Sequence, residues 1–154
     1  MKKGLTEIIY VLDRSGSMGH LTGDTIGAYN AYLDEQKKFD GETRITTVLF
    51  DDRYELLFNG ARLDEAYLDH EKYYVRGMTA LYDALGKTIL DVGARLSGTP
   101  ESERPEKVIF IITTDGYENA SKEFSLRRVK EMIEHQQNNI FEHSKRLHKN
   151  LCHL

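Results

Sequence analysis

The sequence predicts an α/β fold, a Rossmann-like doubly wound sheet that is mostly parallel with one antiparallel edge strand. Short apolar segments alternate with longer segments whose apolar residues recur at helical spacing, in the order β-α-β-β-α-β-α. Strands that alternate with helices form crossover units, which build parallel sheets between helix layers. A tight turn at residues 51–53 joins two strands directly, which predicts the antiparallel pair.

Four segments have the composition of strands. Residues 7–12 form a nearly continuous apolar run, typical of a strand that is covered on both faces. Residues 44–50 are apolar and β-branched, and residues 54–58 run back from the turn. Residues 107–113, KVIFIIT, carry the strongest buried-strand signal in the chain.

Three segments predict helices, at residues 21–39, at residues 79–96 and from Ser125 onward. Residues 60–74 are polar and irregular and predict no regular element, and residues 97–105 read as a loop. The stripe positions are Ile26, Tyr29, Leu33 and Gln36 in the first helix, Leu81, Leu85, Ile89, Val92 and Leu96 in the second, and Leu126, Val129 and Ile133 in the third.

Composition and charge argue against several classes of function. The chain has 154 residues, the usual length of one domain, with 40% hydrophobic and 30% charged residues. Its net charge of −4 offers no basic stripe for nucleic acid, and it has no apolar run long enough to span a membrane. The apolar stretch after Lys2 and Lys3 is too short for a secretory signal. With a single cysteine, Cys152, these features predict a cytoplasmic protein without an internal disulfide.

Two of the predicted strands end in a carboxylate. Asp13 closes the first strand and Asp115 follows the last one. Ligands of open α/β sheets bind beyond the carboxyl ends of the strands, and neighbouring strands lie about 5 Å apart. We therefore expect both carboxylates at one edge of the sheet, close together if their strands are neighbours.

Hydroxyl groups in three loops extend this pair of carboxylates into an oxygen-only set. The alternate spacing of Asp13-x-Ser15-x-Ser17 lets one extended loop turn three side chains to one side, and Thr79 precedes the second helix. Oxygen ligands suit hard cations, Mg²⁺ foremost, with Mn²⁺ or Ca²⁺ as alternatives. Because the hydroxyls are neutral, weak ligands, the metal should stay electrophilic and keep a water that a partner's carboxylate can replace.

The residues of these loops resemble the von Willebrand factor A (VWA) domain family, in its small bacterial cytoplasmic type. The resemblance implies a metal-ion-dependent adhesion site, in which the metal binds an acidic residue of a partner protein and catalysis is generally absent. Residue by residue, it assigns Asp13, Ser15 and Ser17 to the first loop, Thr79 to the second and Asp115 to the third. The matching segments are DRSGSM at residues 13–18, GMTALYDAL at residues 77–85 and TTDGYENAS at residues 113–121.

The C-terminal part departs from the pattern of this family, whose members continue with further strands. Residues 1–137 read as a VWA-like domain with its C-terminal strand or strands missing, and residues 138–154 as an atypical tail, either a helical extension or disordered. In a shortened fold, residues 107–113 become a sheet edge. A long apolar edge is a template for pairing, which predicts a homo-oligomer.

Plainer interpretations compete with the metal site. Asp13, Ser15 and Ser17 could simply begin a helix, and Thr79 is a good N-cap for the helix that it precedes. Asp51 and Asp52 read as turn residues. Glu118 and Asn119 could reach the metal through water, although a solvated loop is the plainer interpretation. The tail residues His143, His148, Cys152 and His153 have poor spacing for zinc.

Two other classes of function remain open beside the non-enzymatic binding module. A metal-assisted hydrolase or phosphoryl-transfer enzyme needs a base beside the site, and His20 is only the nearest histidine in sequence. The chain has neither a phosphate-cradling loop with a lysine nor a G-x-S-x-G elbow, so we expect no catalysis. A metal-free scaffold that binds through its sheet edge is the other alternative.

Overall fold

The computed structural model describes residues 1–115 and 118–139, and the elements follow the predicted order. Residues 140–154, most of the predicted tail, lie outside the described residues. None of the described helices is both long and apolar enough to cross a membrane. The elements are β1 (Lys2–Asp13), α1 (Thr22–Gln36), β2 (Glu42–Phe50), β3 (Tyr54–Arg62), α2 (Leu81–Gly98), β4 (Pro105–Thr113) and α3 (Leu126–Asn139), with short 3-10 helices at Gly16–Leu21, Leu63–Glu65 and Glu101–Glu103.

The four strands form one sheet in the order β3-β2-β1-β4. β1 pairs in parallel with both β2 and β4, and β3 pairs antiparallel with β2 at one edge. This arrangement confirms the predicted fold class. It also makes β1 a central strand of the sheet. The last pair between β1 and β4 joins Leu12 and Thr113, and Asp13 lies one residue beyond that pair.

Both faces of β1 are covered, which explains its nearly continuous apolar sequence. Ile8, Tyr10 and Leu12 belong to the core on the α1 side, where Tyr29 and Leu33 are fully buried. The alternate β1 residues, Ile9 and Val11, pack in a second core with side chains of α2 and α3. Successive strand residues point to opposite faces, so each core takes every second residue.

Residues 60–74 are more ordered than their polar sequence predicts. β3 continues to Arg62, and the short helix Leu63–Glu65 follows it. Leu63, Leu68 and Tyr73 are buried and complete the core on the α1 side. These apolar residues lie in the short helix and in the loop after it, so their spacing in the sequence follows neither the period of a helix nor that of a strand. The sequence pattern therefore did not predict their burial.

β4 is less buried than its apolar sequence predicts. Residues 108–113 are only half-buried, although they form the most apolar run in the chain. In the part of the chain that the structure describes, β4 pairs with β1 alone and so lies at the sheet edge. Hydrophobicity predicted the strand correctly, but the composition of a strand does not reveal whether another strand covers its outer side.

A close contact between α2 and the start of α3 fixes the loop that follows β4. A Cβ on Gly86 would lie 2.3 Å from Cδ1 of Phe124. The ring can therefore pack on α2 only because residue 86 has no side chain. This contact holds the segment before α3 against the same helix that begins just after Thr79.

Candidate metal centre

Asp13 lies fully buried at the carboxyl end of β1. Its Oδ1 accepts a hydrogen bond from the Ser15 amide at 2.7 Å, and its Oδ2 accepts one from Thr114 Oγ1 at 2.8 Å. The Tyr73 hydroxyl donates to the Asp13 carbonyl at 2.7 Å. These contacts fix both the main chain and the side chain of Asp13, and they connect β1 to the end of β4.

The pKa of Asp13 is affected by burial, by its hydrogen bonds and by the charge of Asp115. Burial raises the pKa of Asp13 above its ordinary value, hydrogen bonds from Ser15 and Thr114 lower it, and the negative charge of Asp115 raises it further. Like charges disfavour each other's ionised form within a few ångströms. Asp13 and Asp115 therefore follow neighbouring parallel strands, and the charge of Asp115 acts on Asp13; a common metal site remains a prediction.

The first loop brings its two serines together. Ser15 Oγ and Ser17 Oγ lie 3.1 Å apart, with Ser15 buried and Ser17 exposed. Ser15 is the N-cap of the helix Gly16–Leu21 but makes no side-chain capping hydrogen bond. The motif therefore begins a short helix, as the plainer interpretation expects, but the Ser15 hydroxyl contacts Ser17 and does not cap that helix.

The second loop lies directly against the first. The Gly16 amide donates to the Gly77 carbonyl at 3.1 Å, and the Arg76 amide donates to the Arg14 carbonyl at 2.8 Å. Gly77 has φ of +63°, and a Cβ there would lie 2.1 Å from Asp52 Oδ1. Glycine is the residue that fits both this left-handed conformation and this narrow space.

Thr79, at the end of the second loop, is buried and held by the third loop. Asn119 Oδ1 accepts a hydrogen bond from the Thr79 amide at 2.9 Å. α2 begins at Leu81 with Ala80 as its N-cap, and Ala80 makes no side-chain capping bond. The N-cap predicted for Thr79 is therefore wrong, since the first-turn amides of α2 find their acceptors in the loop before α3.

One oxygen of the candidate site has no hydrogen-bond partner among the described residues. This atom is Asp115 Oδ1, which is buried. An unsatisfied buried carboxylate oxygen is costly, and so is its repulsion with Asp13. A divalent cation bound between them would remove both costs, so the donor set fits a hard cation.

The described residues contain no group of three or more His, Cys, Asp or Glu that could hold a metal. The candidate site has only two carboxylates, and its other donors are hydroxyls. Hydrogen bonds join Asp13, Ser15 and Ser17, and Asp115 acts on Asp13 through its charge. The main chain of Thr79 bonds instead to Asn119 and Ala120 in the third loop. The cluster at His143, His148, Cys152 and His153 falls outside the described residues.

Several residues that support the site were not predicted. Asp51 is a turn residue as expected, but its carboxylate is buried and accepts a hydrogen bond from Arg76 Nε at 2.7 Å. It follows the carboxyl end of β2, so the strand-end rule that singled out Asp13 could have found it. Glu118 and Asn119 read as a solvated loop, yet Glu118 accepts a hydrogen bond from the Tyr82 amide of α2, and Asn119 accepts one from the Thr79 amide just before α2.

Arg14 is another unpredicted support, because its side chain is almost fully buried beside the first loop. Its guanidinium lies 4.1 Å from the centre of the Tyr74 ring, and Nη1 lies 2.6 Å from Glu55 Oε2. Nε donates to the Tyr74 carbonyl at 3.0 Å. Arginine thus ties the first loop to the segment that leads into the second loop.

Comparison with solved structures finds proteins of the same fold. Proximal thread matrix protein 1 from the mussel byssus is 22% identical with a TM-score of 0.56, over 86% of this chain and 34% of that chain. The BatB protein from Bacteroides thetaiotaomicron is 18% identical with a TM-score of 0.54, over 84% of this chain and 62% of that one. A mutant PilB minor pilin from Streptococcus sanguinis is 17% identical with a TM-score of 0.55, over 75% of this chain and 31% of that chain.

These likenesses concern the fold alone, because the sequence identities are low. The chain spans about a third of the length of the mussel protein and about three fifths of the length of BatB. No family model and no curated protein matches the sequence. The sheet order, the crossover helices and these structural neighbours together show that the chain has a von Willebrand factor A-like fold.

Proposed function

We propose that the chain is a protein-binding module that depends on a divalent cation, with Mg²⁺ as the ion that best fits its donors. The buried Oδ1 of Asp115, which has no hydrogen-bond partner among the described residues, and the buried carboxylate of Asp13 carry this proposal. Two carboxylates and neutral hydroxyls suit a small, hard cation that keeps water in its coordination shell. Mn²⁺ and Ca²⁺ prefer the same oxygen donors and are the natural competitors.

Five side chains would bind the ion, two through carboxylates and three through hydroxyls. Asp13 and Asp115 supply the negative charge, and Ser15, Ser17 and Thr79 supply neutral oxygens. Ser17 is exposed, so the ion would face solvent on the side of the first loop. A bound cation with only two anionic ligands offers a positive docking point for a glutamate or aspartate of a partner protein.

The structural neighbours support an interaction role. They include a thread matrix protein and a minor pilin. One structure of the mussel protein has a metal-ion-dependent adhesion site (MIDAS) motif that is occupied by zinc. In this chain, hydrogen bonds join the first loop to the second, the second to the third and the first to the third. Such a preorganised set of oxygens is suited to binding.

The contacts of the serines favour binding over covalent catalysis. A nucleophilic serine needs a base within hydrogen-bonding distance and a third group that orients this base. Ser15 Oγ instead contacts Ser17 Oγ, a neutral hydroxyl that cannot accept a proton at neutral pH. A phosphoesterase activity that Asp13→Ala abolished would favour the metal-assisted enzyme instead.

Thermal unfolding with added metal tests the cation. Binding to the folded state alone should stabilise the protein by about 2.7 kcal/mol at a metal concentration of 100 Kd. We expect Mg²⁺ or Mn²⁺ to raise Tm and EDTA to reverse the rise, with no rise in Asp115→Ala. The same rise in parent and variant would contradict the proposed site.

A carboxylate probe tests the docking point. Mn²⁺ bound to the protein should relax water protons strongly because it keeps exchangeable water. A peptide that carries glutamate should lower this relaxation by displacing water, whereas the same peptide with glutamine should not. An equal response to both peptides would contradict the bridging role of the ion.

The exposed edge of β4 supports a second candidate, self-association or scaffolding through strand pairing. Among the described residues, no strand covers the outer side of β4, whose apolar residues 108–112 are only half-buried. An uncovered apolar edge pairs readily with another chain. Sedimentation should show mass that rises with concentration, and EDTA should not change it. A monomer at all concentrations would contradict this candidate.

A further inference from the structure

The main chain of Thr79 is bound on both sides by two residues of the third loop. Its amide donates to Asn119 Oδ1 at 2.9 Å. Its carbonyl accepts from the amides of Asn119 and Ala120 at 3.0 and 3.1 Å. Since Thr79 is only 4% exposed, its main chain has little water to replace a lost partner.

The third loop also supplies the acceptors for the first-turn amides of α2, which its N-cap residue does not bind. The Tyr82 amide donates to Glu118 Oε2 at 3.1 Å, and the Asp83 amide donates to Ser121 Oγ at 3.0 Å. The Asp83 carboxylate accepts hydrogen bonds in return, and its donors are the amides of Lys122, Glu123 and Phe124. Helix α2 and the loop before α3 are therefore interlocked by reciprocal bonds.

On its other side, the second loop is held by the turn between β2 and β3. The Ala80 amide donates to the Asp51 carbonyl at 2.9 Å, and the Met78 amide donates to Asp52 Oδ1 at 3.2 Å. These bonds hold the neighbours of Thr79 rather than Thr79 itself. Asn119 thus provides the side chain that receives the amide of Thr79.

We infer that Asn119 is a positioning residue for the metal site, which it serves by holding Thr79 in place without touching the ion. This inference rests on the proposed function, because it assigns Asn119 a part in the affinity of that site. The third loop then contributes twice: Asp115 as a ligand, and Asn119 through a ligand of another loop. Ser121 belongs to the same segment but bonds to Asp83 and Glu118, so it provides a matched control.

Hydrogen exchange in the metal-free protein measures the positioning directly. Asn119→Ala should speed exchange of the Thr79 amide by about five- to tenfold, the effect of losing one hydrogen bond. Exchange of the Ala80 amide, which bonds to Asp51, should change less. Asn119→Asp keeps an acceptor oxygen and should restore protection of Thr79, and Ser121→Ala should leave it unchanged.

Mn²⁺ titration below the unfolding temperature measures the consequence for the site. Asn119→Ala should weaken Mn²⁺ binding by about five- to tenfold, whereas Ser121→Ala should stay within about twofold of the parent. Ser121→Ala removes two side-chain hydrogen bonds near α2 and Asn119→Ala removes one, so a purely structural effect would weaken Ser121→Ala at least as much.

The outcomes separate the two proposals. Faster Thr79 exchange with unchanged Mn²⁺ affinity in Asn119→Ala would overturn the positioning role while the metal site stands. Equal weakening by Asn119→Ala and Ser121→Ala would overturn it as well. A parent protein that binds no Mn²⁺ would overturn the proposed function, and the positioning role with it.

Discussion

Asp13 and Asp115 lie at the ends of neighbouring parallel strands, but their surroundings differ. Asp13 ends the central strand, is fully buried and accepts hydrogen bonds with both oxygens. Asp115 follows the edge strand, and its buried Oδ1 has no hydrogen-bond partner in the described part of the chain. One carboxylate is part of the framework, and the other has an oxygen left for a ligand.

This difference predicts that Asp13 both stabilises the fold and binds the ion, whereas Asp115 only binds the ion. Asp13 should matter with or without metal, because it joins the first loop to the end of β4. Asp115 should matter only with metal, because its charge is otherwise a burden on Asp13. Substitutions at the two positions should therefore give similar losses of binding and different losses of stability.

The largest effect is expected for Asp13→Ala. This variant should lose the metal-dependent stabilisation and also about 1–3 kcal/mol of unfolding free energy without metal, because a buried amide and a hydroxyl lose their acceptor. Removal of a buried charge offsets part of that loss. Urea unfolding with EDTA and with Mn²⁺ measures both quantities. A metal-free variant as stable as the parent would show that Asp13 is not part of the framework.

Asp115→Asn sharpens the comparison from the other side. It should also lose the metal-dependent stabilisation, but its metal-free unfolding free energy should equal or exceed that of the parent. The reason is that the charge of Asp115 disfavours the ionised form of Asp13. The same urea titrations in EDTA measure this. A fall of more than about 1 kcal/mol would place Asp115 in the framework beside Asp13.

Gly77→Ala tests whether the second loop belongs to the same framework. A side chain at φ of +63° and next to Asp52 should cost about 1–2 kcal/mol of unfolding free energy. Gly27→Ala is the control, because Gly27 lies within α1 with nothing within 4 Å of its would-be Cβ. Alanine should stabilise that helix by up to about 1 kcal/mol. Equal effects at both glycines would contradict the tight fit of Gly77.

The smallest effect concerns pH and the third loop. Burial would raise the pKa of Glu118, but its hydrogen bonds with Ser121, Tyr82 and Ala120 outweigh burial and lower it below the ordinary 4.5. A lowered folded-state pKa means that Glu118 stabilises the fold above its unfolded pKa and that this contribution disappears as pH falls through the folded value.

The stability difference between the parent and Glu118→Gln should therefore be constant near neutral pH and shrink as pH falls below 4.5. Chemical unfolding at several pH values measures it. Glu101→Gln, at an exposed position, is the control and should show a smaller difference. A difference that grew with acid would contradict the assigned direction.

The sequence was sufficient to predict what depends on short-range patterns. The order of elements along the chain followed from the alternating segments, and the strand-end rule singled out Asp13 and Asp115, which follow neighbouring parallel strands. The partners of Thr79 could not be predicted, because Asn119 reaches it across 40 residues through the path of a loop. The role of Arg14 could not be predicted either, since its stacking on Tyr74 depends on the fold of residues 60–74.

The hydrogen bond between Asp13 and Thr114 joins residues 101 positions apart, and this separation has a consequence for biosynthesis. Four of the five candidate ligands have been translated by residue 79, long before Asp115. Parallel pairing of β1 with β4 requires a large loop to close, which slows folding. A growing chain therefore carries most of the ligands without a site, and an ion that needs both carboxylates can bind only after β4 has docked on β1.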